Sequence, residues 1–274
     1  MIKGKPSFPF NTIALGVAFN DELDFMVSEM KRLCENHGSL AVFIHYGKKT
    51  GDKFIQLSRI LTHYGFHDGN SRIYWEQSNA VSAILQICKL EVVDLLVMGL
   101  SQNEKFAQPF GKLTQEITTK AKCSVLIYSS PSNSMKRIVI EANNHRKTEH
   151  ALLTAFYFSE REKAQEVIVL DVAEHFASAE SSHSTDYTSE IFFDSKLNQS
   201  IENMALNVRI ESATNESFVD VAEYAQKVNA DLIIINSVDH HLQIFERIAQ
   251  NHIDTILPKL HCNLLIIHSR LIEE

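Results

Sequence analysis

Two stretches of this chain follow one pattern. Residues 92–130 read VVDLLVMGLSQNEKFAQPFGKLTQEITTKAKCSVLIYSS, and residues 229–269 read NADLIIINSVDHHLQIFERIAQNHIDTILPKLHCNLLIIHS. Each opens on Asp-Leu, passes through an apolar run, a polar loop and a helical stretch, and sets a Cys two residues ahead of a second apolar run. The period, from Asp94 to Asp231, is about 137 residues, which is domain-sized and far above the short periods of solenoids. A unit of that length buries a core without metal or disulfide support. The doubling therefore predicts two units of one architecture, 1–131 and 136–274, joined by a linker at 132–135. The Ser/Pro/Asn cluster SSPSNSM marks the junction.

Within each unit, short apolar runs alternate with helical spacings. In the first, 12–17, 40–46, 72–75, 94–98 and 124–128 read as strands, and 21–36, 53–64, 80–90 and 112–120 as helices. In the second, the strands are 137–142, 166–172, 208–211, 231–235 and 263–267. Helices are expected at 149–161, 192–205, 218–228 and within 250–260, with 177–189 a polar loop or ragged helix start. Strands that are apolar throughout, alternating with helices, predict an α/β fold with a parallel sheet covered on both faces. In such sheets a ligand crevice lies beyond the carboxyl ends of the strands, where the winding reverses. That directs attention to the segment after the first strand and the loop after the fourth, in each unit.

The net charge of −8 supplies no basic field for nucleic acid or anionic lipid. Cys34, Cys88, Cys123 and Cys262 form no C-x-x-C pattern, and three of them lie in apolar periodic segments, which fits buried thiols in a reducing compartment. No apolar run reaches membrane-spanning length and no secretory leader is evident, so a soluble, cytoplasmic chain is expected.

The opening strands TIALGVAFND and RIVIEANNHR, the strand ending in His45-Tyr46, and DLLVMG followed by the helix that leads to KAKCSVLIY resemble the universal stress protein family in a tandem form. The resemblance covers nearly the whole chain. It implies two Rossmann-like (adenine nucleotide alpha hydrolase-like) domains, each a five-stranded parallel sheet of order 3-2-1-4-5. It also implies pairing of the two units through their last strands, 124–128 and 263–267, and leaves a homodimer open. One branch of the family binds ATP through a loop G-x-x-G, nine residues, then G-S/T, with an Asp at the end of strand one. Glycines let backbone approach phosphate, and a helix N-terminus supplies free N–H groups.

This chain departs from that pattern. Gly99 matches the first glycine, Gln102 stands at the second, Gly111 matches the third one residue early, and Lys112 replaces the hydroxyl residue. Ala18 occupies the Asp position. In the second unit Asn236 and Asp239 replace the first two glycines, Asn143 stands at the Asp position, and no glycine occurs from Val139 to Glu274. Gly99, Gly111 and Lys112 are therefore the candidate cofactor-binding residues, a degenerate phosphate loop for ATP or another nucleotide. The plainer reading of the same residues is a loop glycine, a helix-entry glycine and solvated lysines at 105 and 112.

Other polar groups invite weaker readings. Asp239-His240-His241 with His252 and His261 could suggest a metal, but no spacing forces convergence, and a surface loop is favoured. Asn143-Asn144-His145 and Asp171, the latter matching His45, lie at strand carboxyl ends facing the crevice. Asp94 and Asp231, at the opposite ends of their strands, are read as structural. Tyr74 and Trp75 point to opposite faces of one strand. No nucleophile elbow, zincin helix or Walker A loop is present. The expectation is a non-enzymatic regulatory or interaction module with an unnamed protein partner, its nucleotide site degenerate in the first unit and lost in the second. A nucleotide sensor or weak ATPase using the first unit, and a soluble regulatory tail of a membrane transporter, are the alternatives.

Overall fold

The structure, a computed structural model, describes residues 10–99, 112–129, 135–142, 148–171, 204, 206–212, 220–237, 253 and 256–268. The first half runs β1 (Thr12–Gly16), α1 (Leu23–His37), β2 (Leu40–Tyr46), α2 (Gly51–His63), β3 (Ser71–Glu76), α3 (Ala80–Leu90), β4 (Leu95–Gly99), α4 (Lys112–Lys120) and β5 (Ser124–Tyr128). The second runs β6 (Arg137–Ala142), α5 (Thr148–Arg161), β7 (Glu166–Asp171), β8 (Val208–Ser212), α6 (Val221–Lys227), β9 (Leu232–Ser237), a 3-10 turn (Leu257–Lys259) and β10 (Asn263–His268). The helix expected at 192–205 and the polar stretch 177–189 lie outside the described residues, save for Met204.

All ten strands form one sheet of order β3-β2-β1-β4-β5-β10-β9-β6-β7-β8. Strand order therefore reads the same from either end. Every pairing is parallel except the central one, where β5 and β10 run antiparallel with Leu126 opposite Leu265. Each five-strand run has the order 3-2-1-4-5 implied by the resemblance. Side chains at both ends of the central pair reinforce it. Asn263 Oδ1 accepts the Ser129 N–H at 3.1 Å, and Ser124 Oγ accepts the His268 N–H at 3.2 Å.

Local chemistry sets the boundaries. Gly38 ends α1 in the left-handed region (φ 69°), where its N–H reaches the Cys34 carbonyl, a conformation glycine adopts without Cβ strain. Asn79 caps α3 by accepting the N–H groups of Val81 and Ser82. Asp220 caps α6 by accepting from Ala222 at 2.9 Å, so this helix begins at Val221 rather than at the expected 218. Within the helix expected in 250–260, Ile253 and Ile256 are α-helical, and the end tightens to a 3-10 turn at Leu257–Lys259, where Pro258 removes a backbone donor.

Asp94 and Asp231 act as matched clasps. Asp94 Oδ2 accepts the N–H groups of Asn11 (2.9 Å) and Thr12 (3.1 Å), tying the start of β4 to the start of β1. Asp231 Oδ2 does the same for Lys136 and Arg137, both at 2.9 Å. The sheet buries an apolar face on each side. One face packs α1, α2 and α5 into a core from Phe10 and Leu33 through Leu126 and Leu265 to Phe156 and Phe158. The other packs α3, α4 and α6 over Val42, Leu96, Ile127, Ile233 and Ile266. Both cores run unbroken across the β5–β10 pair. Alternating strand residues divide between them, so Tyr74 packs on one face and Trp75 on the other.

Candidate functional site

The winding reverses between β1 and β4 in the first half and between β6 and β9 in the second, so the candidate crevices lie at the carboxyl ends of those pairs. In the first half Gly99 closes β4. It does not hold a left-handed φ, so the turn itself does not demand glycine there. Its missing side chain is taken up by Met26 of α1. A Cβ at Gly99 would stand 3.2 Å from the Met26 Sδ and 3.6 Å from its Cγ and Cε. The close approach that a phosphate loop asks of its first glycine is filled by a buried thioether. Gly111 lies outside the described residues, as do Gln102 and Lys105. Lys112 is the first residue of α4, and its side chain is outside the description.

The neighbouring strand ends carry a ring cluster. His45, at the end of β2, is 5% exposed, and its Nδ1 stands 3.0 Å from the Val17 carbonyl beyond β1. Phe19 meets its ring edge-on at 4.7 Å and Trp75, its register partner on β3, at 5.0 Å. Phe19 and Trp75 stack at 6.0 Å. Lys53 Nζ lies 5.2 Å from the Phe19 ring centre, and Lys49 Nζ lies 4.4 Å from that of Phe54 and 5.7 Å from that of Trp75, distances at which a cation is attracted to a ring face. Burial pushes the His45 imidazole down, and the Lys53 charge adds to this, against the Val17 carbonyl. With Nδ1–H assigned as the donor to Val17, Nε2 is a buried acceptor without a hydrogen-bond partner. His45 thus packs among the rings with Nδ1 turned to the Val17 carbonyl. Sequence reasoning singled out His45 and Trp75 separately and missed the cluster. The available signal was an aromatic residue at or just past the carboxyl ends of three adjacent strands.

The second half is built differently. The α1 and α5 helices align through their matching last turns: Ser39 N–H to the Cys34 carbonyl (3.0 Å), and Ala164 N–H to the Ser159 carbonyl (2.9 Å). That match puts Ala151 where Met26 stands and Ala155 where Met30 stands. A small cleft of about 10 Å³, room for about one water, lies there between α5 and the ends of β6, β9 and β10. Ile140, Ala151, Leu152, Ala155, Ile234 and Ile267 line it together with the buried Glu141 and with Asn236. At the carboxyl ends, then, Met26 packs against Gly99 in the first half, and alanines stand at the places matching Met26 and Met30 in the second. Asn143, Asn144, His145, Asp239, His240, His241 and His252 lie outside the described residues, as does the side chain of Asp171. His261 is exposed and sits by the 3-10 turn, 3.5 Å from the Lys259 carbonyl. Among the described residues no group of three His, Cys, Asp or Glu is placed to hold a metal ion.

The four cysteines are buried free thiols. Burial pushes Cys34 and Cys262 up to about 12, and a hydrogen bond with Cys123 together with burial raises Cys88 further. Such thiols are poor nucleophiles. No helix among the described residues is long and apolar enough to cross a membrane.

A doubly wound α/β sheet with 3-2-1-4-5 order on each side of a central antiparallel pair defines the class: the chain has the fold of the universal stress proteins. A universal stress protein from Archaeoglobus fulgidus DSM 4304 superposes over 96% of this chain and 98% of its own, at TM-score 0.63 and 14% identity. A protein of unknown function from Pseudomonas aeruginosa PAO1 matches over 94% of this chain and 92% of its own, at TM-score 0.64 and 14% identity. A candidate universal stress protein from Pseudomonas aeruginosa UCBPP-PA14 matches over 94% and 93%, again at 0.64 and 14%. No family model and no curated protein matches the chain in sequence.

Proposed function

We propose that this chain is a non-enzymatic, cytoplasmic regulatory or interaction protein made of two universal stress protein-like units, 1–131 and 136–274. Its nucleotide crevice is degenerate in the first unit and lost in the second. The observation that carries the reading is Met26 packed against Gly99: the one described glycine of the phosphate-loop pattern serves packing between α1 and β4. The ring cluster of Phe19, His45 and Trp75 supports it, because it fills the strand ends beside that crevice with the chain's own side chains. The small cleft of the second unit offers no cation to a phosphate among its lining residues, which include the Glu141 carboxylate. Function then rests on surfaces presented to a protein partner rather than on turnover.

The test is titration with ATP, ADP and AMP by calorimetry, with native mass spectrometry of the freshly purified protein. The expected result is no co-purified nucleotide and no binding tighter than about 10 μM, roughly −7 kcal/mol. Tighter ATP binding that is weakened by Gly111→Val overturns the reading in favour of a first-unit nucleotide sensor.

A further inference from the structure

The contact between the two halves holds a buried charge network that the repeat does not duplicate. Arg32 of α1 donates through Nη1 to Glu162, which follows α5, and through Nη2 to Glu29 at 2.8 Å. Asn36 Nδ2 donates to Glu162 Oε1 at 3.1 Å, and His37 Nε2 lies 3.6 Å from the same oxygen. Tyr128, the last residue of β5, donates its hydroxyl proton to Glu29 at 2.8 Å. The Glu162 side chain is fully enclosed, and His37 is held between Phe10 and Phe158, each 5.4 Å away between ring centres.

The backbone alone does not choose this partner. The antiparallel β5–β10 ladder has an apolar centre of Leu126 and Leu265, and either strand could face a copy of itself with similar chemistry. The side chains are another matter. Under the helix alignment above, Tyr157 stands where Arg32 does, Glu162 where His37 does, and Arg161 where Asn36 does. A like pair of first halves would therefore turn Arg32 toward His37, and its cross-interface acid would be gone. A like pair of second halves would replace Arg32 by a phenol but set Arg161 in Asn36's place, so the discrimination comes from the first half. Arg32 would keep Glu29 within its own half, but this three-quarters-buried cation would lose its second carboxylate and meet an imidazole instead, and specificity against a wrong partner is commonly built from such a loss.

We infer that Arg32 and Glu162 are the specificity determinants of this interface. They admit a second half against the first half and reject a second copy of the first half. The inference rests on the two-unit reading of the chain.

A protease site placed within 132–134 allows the folded full chain to be cut and its pieces to be exchanged by dilution and reconcentration. Native mass spectrometry then counts mixed and like pairs, and circular dichroism reports whether the pieces stay folded. In the otherwise native chain, mixed pairs should exceed like pairs by at least about tenfold, the ratio that ~1.4 kcal/mol sets. The double variant Arg32→Met/Glu162→Met, which fills the same space without charge, should lose that excess while keeping the fold. Statistical mixing in the native chain overturns the inference, and so does an unchanged excess in the double variant. Pieces that unfold on cutting overturn the two-unit reading and the inference with it.

Discussion

Gly99→Ala separates a packing glycine from a ligand-binding one through a change of sign. The backbone there is not left-handed, so alanine meets no conformational penalty and gains about 0.5–1 kcal/mol over glycine inside a strand. Against this, its methyl would stand 3.2 Å from the Met26 sulfur, and Met26 is only 6% exposed. Overpacking of a core side chain costs about 1–3 kcal/mol, and methionine's flexibility keeps this case to about 1.5–2 kcal/mol. The net expectation is a loss of about 1 kcal/mol. Met26→Ala by itself should cost at least about 2 kcal/mol. In that background the added methyl has room, and Gly99→Ala should become stabilising by about 0.5–1 kcal/mol. The interaction between the two positions is then about 1.5–2 kcal/mol, well outside the scatter of independent sites. Urea unfolding of the four proteins, with m-values checked for constancy, measures the cycle. If the two substitutions add to within about 0.5 kcal/mol, Gly99 is not tied to Met26 and the packing explanation of its presence fails.

Two further outcomes follow from particular residues. Val92 is a β-branched residue at φ 49° and Asn229 holds the matching place at φ 51°; Val92→Gly should raise the unfolding free energy by about 1 kcal/mol, and Asn229→Gly by less, because asparagine tolerates that region. Equal shifts in the urea midpoints would show that strain at Val92 is not the cause. Glu162 titrates in the opposite sense to an ordinary buried acid: burial pushes its carboxyl up, but His37, Arg32 and Asn36 together outweigh burial and hold it below its usual range. Its contribution to stability is present above the unfolded carboxyl value near about 4.3 and is lost as pH falls through the lower folded value. Glu162→Gln should therefore flatten the acid side of the stability–pH curve below about pH 4.3, by up to roughly 1.4 kcal/mol per pH unit. An unchanged slope there would mean that Glu162 does not titrate in the folded chain as its contacts require.

What the chain discloses in advance is what depends on neighbours in sequence. Leu40–Tyr46, Ala80–Leu90 and Lys112–Lys120 fall at their expected bounds, because an apolar run or an apolar stripe is a local property. The two aspartates ahead of Leu95 and Leu232 were legible as structural for the same reason, although their targets at Asn11–Thr12 and Lys136–Arg137 were not. Helix starts shifted where a single capping carboxylate decided them, as at Asp220. The candidate site was less legible. That Gly99 is filled depends on which residue of α1 lies over the end of β4, and a one-residue rotation of the helix would have put Val27 or Phe25 there instead. The ring cluster joins the ends of three strands, and Arg32 meets Glu162 across 130 positions. Contacts of that span leave no periodicity to read.

The two halves show how one frame comes to hold different contents. Clasps and left-handed turns recur at matching positions, and each is a backbone requirement that either half must satisfy on its own. Met26 against Ala151, Met30 against Ala155, Arg32 against Tyr157 and His37 against Glu162 differ, and all lie on α1 and α5 or, for Glu162, in the turn that follows α5. Two of these differences exchange methionine for alanine, and two place opposite charges on facing sides of one contact. A symmetric pair of identical units could do neither, because any residue added to one side would appear on both. Two unlike halves in one sheet are free of that restriction. The physical consequence is a sheet whose backbone is repeated but whose two carboxyl-end crevices and central contact are chemically distinct. A binding partner that reads those surfaces would therefore meet the chain in one orientation.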